Sequence, residues 1–222
     1  MVNNEIPLFP GNTYHIYNHA NGFENIFENE GNYFYFLKKY AEFISPIADT
    51  FAYALMPNHF HFLVQIKPSD ILWQNFRLIK APKKGRVLIK KHQILNSSYS
   101  GTIQQDEYLS LLLSKQFGNF FSAYTQAFNL QQNRTGSLFV SNFKRKVILD
   151  ESYYSKVIHY IHHNPVHHHF TDHPSKWPHS SYLSLLSSQP TLLLRDQVLA
   201  YYGGKEGFIT AHNREADLEI DW

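Results

Sequence analysis

From Met56 to Ile66 the chain reads Met-Pro-Asn-His-Phe-His-Phe-Leu-Val-Gln-Ile, a pattern that an extended strand sorts onto two faces. Successive side chains of a strand point to opposite sides, so His59 and His61 share one face. Phe60, Phe62, Val64 and Ile66 share the other, which calls for burial. Upstream, Ala52-Tyr53-Ala54-Leu55 is a second strand-like run, and Pro57-Asn58 between the two is turn chemistry. The segment is therefore expected as a hairpin inside a sheet, with both imidazoles placed to hold one divalent cation. A strand carrying two hydrogen-bonded histidines would satisfy the same pattern, so the argument turns on what else reaches that face.

Around this hairpin the other elements follow from periodicity. Thr13 to Asn18 reads as a first strand, with Asn21-Gly22 as a turn after it. Tyr33, Phe34, Phe36, Leu37, Tyr40, Phe43 and Ile44 recur at helical spacing, and Pro46 follows. Residues 69–105 read as an insertion with one or two short elements. Asp106 is placed to cap a long helix through Phe128, ended by Arg134-Thr135-Gly136-Ser137. Leu138 to Leu149 reads as the last strand, and Asp150 caps a helix from Glu151 to His163 that Pro165 stops. Strand, helix, strand, strand, helix, strand is the split βαβ order of ferredoxin-like folds, an α+β class with an antiparallel sheet and two helices on one face. One further helix and a tail follow it. The expected organisation is a domain over 1–170 and a helical appendage over 171–222.

Composition narrows the setting. The chain is 222 residues long, 43% apolar and 16% aromatic, enough for a substantial core. It has no apolar run of about 18 residues, so no membrane partner is expected. The first ten residues lack a basic region followed by an apolar block, so no secretory signal is expected. The chain has no cysteine, which rules out disulfides and thiolate metal sites and agrees with a cytoplasmic location. A net charge of +2 says little, but its distribution says more. Between Ile71 and Gln105 stand Arg77, Lys80, Lys83, Lys84, Arg86, Lys90 and Lys91, with no acidic residue among them. Lys144, Arg145 and Lys146 form a second basic run inside a strand-like segment. Two such patches point to nucleic acid, and all of these cations except Arg77 are taken as DNA-binding candidates.

The last helix completes the site. At about 100° per residue, Tyr154, Val157, Ile158 and Ile161 form its buried stripe. Tyr160 sits on one edge, and Asn164 lies one turn further on. A phenol and a carboxamide thus project from the rim of a helix packed on the sheet that carries His59 and His61. The set suggests a cation held by His59, His61 and the Asn164 oxygen, with the Tyr160 hydroxyl beside it. Two imidazoles and an amide oxygen suit Mn²⁺ and tolerate Mg²⁺. With a phosphodiester as electrophile, such an ion polarises the phosphoryl oxygens, and attack by Tyr160 leaves a phosphotyrosine and a free 3′-OH. Tyr153 and Tyr154 stand nearby, but Tyr154 belongs to the buried stripe. Eight of the 14 histidines fall between His159 and His179, and they read as a hydrated, partly charged loop rather than a second metal site.

His59-Phe60-His61 is the HUH pattern (His, hydrophobic, His), and Tyr160 with Asn164 resembles the tyrosine and polar ligand of single-tyrosine HUH transposases. Several segments in order resemble the REP-associated tyrosine transposases: Met56 to His61, Gly136-Ser137-Leu138-Phe139, Phe143-Lys144-Arg145, Tyr160 to Val166, and Trp177 to Tyr182. The resemblance runs from about Tyr14 to Tyr182. It implies a metal-dependent enzyme that nicks and rejoins single-stranded DNA beside a folded hairpin, as a monomer or homodimer. Two departures stand out. The 69–105 segment is longer than in compact members, and His167-His168-His169 occupies a position that is usually basic. A structured-DNA-binding protein without turnover and a related HUH replication initiator are the alternatives.

Replacing Lys83, Lys84, Lys90 and Lys91 by alanine should weaken binding to all single strands and flatten the slope of log affinity against log salt, because lysines there neutralise backbone charge. Titrations at several salt concentrations read both effects, and an unchanged slope removes the segment from the interface.

Overall fold

The computed structural model describes residues 6–79 and 103–216. The fold is α+β, with β1 (Thr13–His19), β2 (Ala48–Met56), β3 (His59–Ile66) and β4 (Lys144–Ile148) in one four-stranded sheet. Strand order is β2-β3-β1-β4, and every neighbouring pair is antiparallel. The expected ferredoxin-like order is present, with a short helix at the start of the 69–105 segment. Helix α1 (Glu30–Phe43) follows β1, α2 (Ser69–Ile79) follows β3 directly, and α3 (Ile103–Gln131) precedes β4.

Alternation in β1 and β3 divides the sheet as the sequence requires. Tyr14, Ile16, Phe60, Phe62 and Val64 are buried in a core with Phe36 of α1 and Phe117, Phe120 and Tyr124 of α3. Within it the Tyr40 ring stacks on Phe62 at 4.3 Å. A register shift between Thr50 and Ala52 marks a bulge, and Phe51 joins Ala52 and Ala54 in the core on the opposite face. Helix α4 (Tyr154–His167) covers that face through Tyr154, Val157, Ile158 and Ile161.

Three boundaries differ from expectation. The last strand starts at Lys144 rather than Leu138, because Asn142 adopts φ 62° and turns the chain before it can extend. Residues 138–140 instead loop back on the end of β1, where Val140 N–H donates to the His19 carbonyl at 3.0 Å. Pro165 lies inside α4, which runs on to His167. Proline forfeits its own bond to the preceding turn and crowds the carbonyl four residues back, but later N–H groups still donate, and His168 N–H reaches the Asn164 carbonyl at 3.0 Å. The 69–105 segment begins with α2, whose Leu72 and Phe76 are buried, and ends in the first turn of α3. Residues 80–102 lie outside the described residues.

The stretch after 170 carries α5 (Tyr182–Leu186), α6 (Arg195–Ala200) and α7 (Lys205–His212). It lines the free edge of β2: Leu55 N–H donates to His179 O, Ser181 N–H to Tyr53 O and Leu194 N–H to Thr50 O, each at 2.9 Å. Tyr182, Leu185, Val198 and Phe208 share the second core with β2 and α4. Only part of this histidine-rich region is the hydrated loop that its composition suggests. His162 and His212 are wholly buried and His163 nearly so, while His167, His168 and His169 are exposed.

Proton positions in the buried pair follow from the acceptors. His212 Nδ1 lies 2.8 Å from the Phe208 carbonyl, which can only accept. His212 Nε2 therefore accepts from His162 Nδ1 at 2.9 Å, and His162 Nε2 accepts from the Ser181 hydroxyl at 2.7 Å. The relay needs both rings neutral. Burial pushes His212 down from 6.5 to about 3, and burial followed by the neighbouring His212, His159 and His163 lowers His162 well below its ordinary value.

Two expectations follow. The folded pKa of His212 lies below its unfolded value, so its contribution is complete above about pH 6.5 and is lost as pH falls toward about 3. Between pH 7 and 5 that is about 2 kcal/mol from His212, and His162 acts in the same direction. Thermal melts at the two pH values should differ by at least about 4 °C, and equal melting temperatures would contradict the relay. Separately, a Cβ added at Gly207 would lie 1.8 Å from the Tyr202 carbonyl oxygen. Gly207→Ala should then cost about 3 kcal/mol or more. Gly118→Ala in α3 meets nothing within 4 Å and should gain about 0.5–1 kcal/mol. Chemical denaturation compares them directly.

Candidate active site

The face of the sheet under α4 collects the chemistry. β1 and β3 pair Tyr17 with His61 and His19 with His59, while His15 lies opposite Leu63. Odd-numbered residues of both strands thus look toward α4, as period two requires. His61 is almost wholly buried, and its Nδ1 lies 2.8 Å from His15 Nε2. One of these nitrogens donates and the other accepts, which leaves His61 Nε2 as the ring atom for any further ligand. The two rings stack at 5.0 Å, and Tyr17 stacks on His15 at 4.9 Å and on His61 at 5.6 Å.

His59 opens β3. Its Nδ1 bonds the Asn58 side-chain oxygen at 2.7 Å, while its buried Nε2 makes no hydrogen bond. A buried polar nitrogen without a partner costs free energy unless something binds it. The ring stands perpendicular to His61 at 5.4 Å, and His168 meets it edge-on at 4.6 Å. Burial is the main cause that pushes His59 down to about 4. His168 and His19 add to the fall, and the Asn164 carboxamide opposes it. His61 is lowered well below 6.5 by burial, then by His15, His59 and His168. Both imidazoles are consequently neutral at physiological pH, the form that ligates metals.

Helix α4 supplies the rest. Asn164 is buried, and its Nδ2 donates to the Tyr160 carbonyl at 3.2 Å, so its oxygen is the atom turned to His59. The Tyr160 ring lies edge-on to His61 at 5.8 Å and to His15 at 6.1 Å. Burial raises the Tyr17 phenol above its ordinary range, and the nearby Tyr160 adds to the rise. Tyr154, the other tyrosine of this helix near the sheet, is buried and donates to Thr13 Oγ1 at 2.7 Å. The structure therefore brings His59, His61, Tyr160 and Asn164 together.

Among the described residues no group of three or more histidine, aspartate or glutamate side chains is arranged to hold a metal ion. A cation here would need the Asn164 oxygen as its third ligand. The donor set fits that role: an unpartnered buried Nε2 on His59, the remaining Nε2 of His61, and a carboxamide oxygen.

The basic residues divide. Lys144 pairs with Tyr17 and Lys146 with His15 across β1 and β4, so both belong to the site face. Lys144 is exposed, and Lys146 lies near enough to His15 to lower its pKa, though burial is the larger cause. Arg145 points the other way, donates to Ser114 Oγ at 2.9 Å and covers the Phe143 ring at 4.9 Å. Lys80, Lys83, Lys84, Arg86, Lys90 and Lys91 lie outside the described residues. Sequence reasoning missed His15 and Tyr17. Alternation within Thr13 to His19 does place both on one face, but only the register with β3 shows that this face is the one bearing His61.

No family model and no curated protein matches the sequence. Among solved structures, the chain is similar to a REP-associated tyrosine transposase bound to a REP hairpin, with a TM-score of 0.55 and 14% identity. The match covers 86% of this chain and 89% of that one. At that identity the likeness shows the fold alone, a mixed α+β architecture with one antiparallel sheet that this chain shares with that structure.

Proposed function

We propose that this protein cleaves and rejoins single-stranded DNA beside hairpins, with Tyr160 as the attacking group. The observation that carries the reading is the placement of the Tyr160 ring against His61, one helical turn from Asn164, whose carboxamide acts on His59. A fold shared with a transposase solved on hairpin DNA supports the substrate class.

In this reading Tyr160 Oη attacks the phosphorus, forms a phosphotyrosine with the 5′ side, and the 3′ oxygen leaves with the proton. The phosphoester bond is exchanged rather than hydrolysed, so a 3′-OH can attack the adduct and restore a DNA strand. His59, His61 and Asn164 would hold a divalent ion, Mg²⁺ or Mn²⁺, whose chemistry is to polarise the phosphoryl oxygens and offset charge on the leaving 3′ oxygen. His15 and Tyr17 hold the His61 ring by hydrogen bond and stacking, which limits its freedom before substrate arrives. Lys144 and Lys146, on the same face, contact phosphates beside the scissile one. Binding hairpin DNA without turnover would need neither the buried imidazole pair nor the phenol beside it.

Tyr160→Phe deletes one oxygen and keeps the ring. Folding and hairpin binding should survive, while cleavage of labelled, hairpin-containing single strands should fall to background. Wild-type protein should carry a DNA fragment stable to boiling in detergent, mapping to the peptide around Ile158 to Ile161. An adduct on Tyr17, Tyr153 or Tyr154 would move the nucleophile, and cleavage without any adduct would make water the nucleophile. His59→Ala and His61→Ala should each weaken Mn²⁺ binding at least about tenfold. Normal cleavage by either at limiting Mn²⁺ would misplace the ion.

A further inference from the structure

We infer that Tyr17 is a second catalytic residue, whose hydroxyl donates a hydrogen bond to a non-bridging oxygen of the phosphate that Tyr160 attacks. The inference rests on the function proposed above and adds a group to the same site.

The strand register carries it. Tyr17 is the partner of His61 on β3 and of Lys144 on β4. His61, Tyr17 and Lys144 therefore stand in one row across three strands, on the face turned toward α4. Neighbouring strands lie about 4.8 Å apart, so the row spans about 10 Å from its β3 position to its β4 position. His61 is the end where the ion would be held, and the exposed Lys144 is the other. A phosphodiester drawn to both passes over Tyr17, the middle member of the row. Tyr160 comes to the same row from α4, with its ring edge-on to His61 at 5.8 Å.

The ring and the hydroxyl of Tyr17 have separable roles. The ring lies nearly parallel to His61, tilted by 18° with centres 5.6 Å apart, and nearly parallel to His15. Phenylalanine would stack in the same way, so packing alone gives no reason for a hydroxyl. A phenol extends further from its strand than an imidazole does, and its oxygen therefore reaches past the His61 ring toward α4. Burial raises the Tyr17 pKa, and Tyr160 is close enough to raise it further. A phenol so placed keeps its proton, which makes it a donor to an anion rather than a second nucleophile. In the cleavage step the Tyr160 Oη–phosphorus bond forms and the phosphorus–3′ oxygen bond breaks, while Tyr17 neither gains nor loses a proton. Its hydrogen bond strengthens as charge spreads over the equatorial phosphoryl oxygens.

The test uses the full chain, Mn²⁺ and hairpin-containing single strands from the DNA flanking the gene, with a phosphorothioate of either configuration at the phosphate that the wild type cleaves. Sulfur accepts a hydrogen bond weakly, whereas Mn²⁺ tolerates it as a ligand. The wild type should therefore cleave the diastereomer whose sulfur meets Tyr17 more slowly than the other. Tyr17→Phe should cleave all-oxygen DNA at least about tenfold more slowly than the wild type, with Mn²⁺ affinity, hairpin affinity and melting temperature unchanged. It should cleave the disfavoured diastereomer no more slowly than all-oxygen DNA. A wild-type rate for Tyr17→Phe overturns the inference, as does a wild type that cleaves both diastereomers alike. So does a slow Tyr17→Phe that keeps the full preference between diastereomers or binds Mn²⁺ weakly, because the residue would then act by holding His61. In each of those outcomes a covalent adduct on Tyr160 of the wild type leaves the proposed function standing. Cleavage by Tyr160→Phe, or none by the wild type, overturns both.

Discussion

The antiparallel pairing of β1 with β3 is the constraint on which the rest of the site depends. It sets Tyr17 against His61 and brings His15 within 2.8 Å of the His61 ring. A slip of one residue would turn His15 and Tyr17 into the aromatic core and bring Tyr14 and Ile16 out to the site. The core makes that slip costly, since Tyr14, Ile16, Phe60 and Phe62 are all buried on the far side. Hydrophobic burial on one face thereby fixes the positions of polar groups on the other. The site inherits its geometry from packing it does not touch.

That second face is never open to water as a whole. Helix α4 lays Val157, Ile158 and Ile161 on it, and the stretch after 170 closes its margin with Tyr182, Leu185 and Phe208. The histidine relay joins the two, since His162 of α4 is bonded both to Ser181 and to His212 of α7. Tyr160 and Asn164 flank His162 on the same helix, so the segment after 170 fixes their position as surely as the sheet does. A buried imidazole relay does this at the cost of staying uncharged, whereas an aliphatic contact would not depend on pH.

Much of this was legible in the sequence because two periodicities carried it. Period two placed His59 and His61 together, and period 3.6 placed Tyr160 and Asn164 on one rim of a helix. The partners of those residues were not legible. His15 lies 46 positions from His61, and no local pattern states which strands become neighbours. His162 and His163 were misread because composition cannot distinguish a hydrated imidazole from a buried, hydrogen-bonded one, whereas His167, His168 and His169 are exposed as expected. Boundaries failed where a single backbone angle overruled propensity, at Asn142, and where Pro165 was treated as an immediate stop although the helix runs two residues past it.

The covering of the β2 edge bears on how the chain comes to be made. Leu55, Tyr53 and Thr50 find hydrogen-bond partners in His179, Ser181 and Leu194, more than a hundred residues later. During synthesis the sheet can assemble once β4 has emerged, yet its outer strand stays bare until that distant stretch follows. A bare, apolar edge strand is a template for pairing with another chain. The interval between the two events is therefore when the nascent protein is most exposed to aggregation, and a chaperone that shields strand edges would act there.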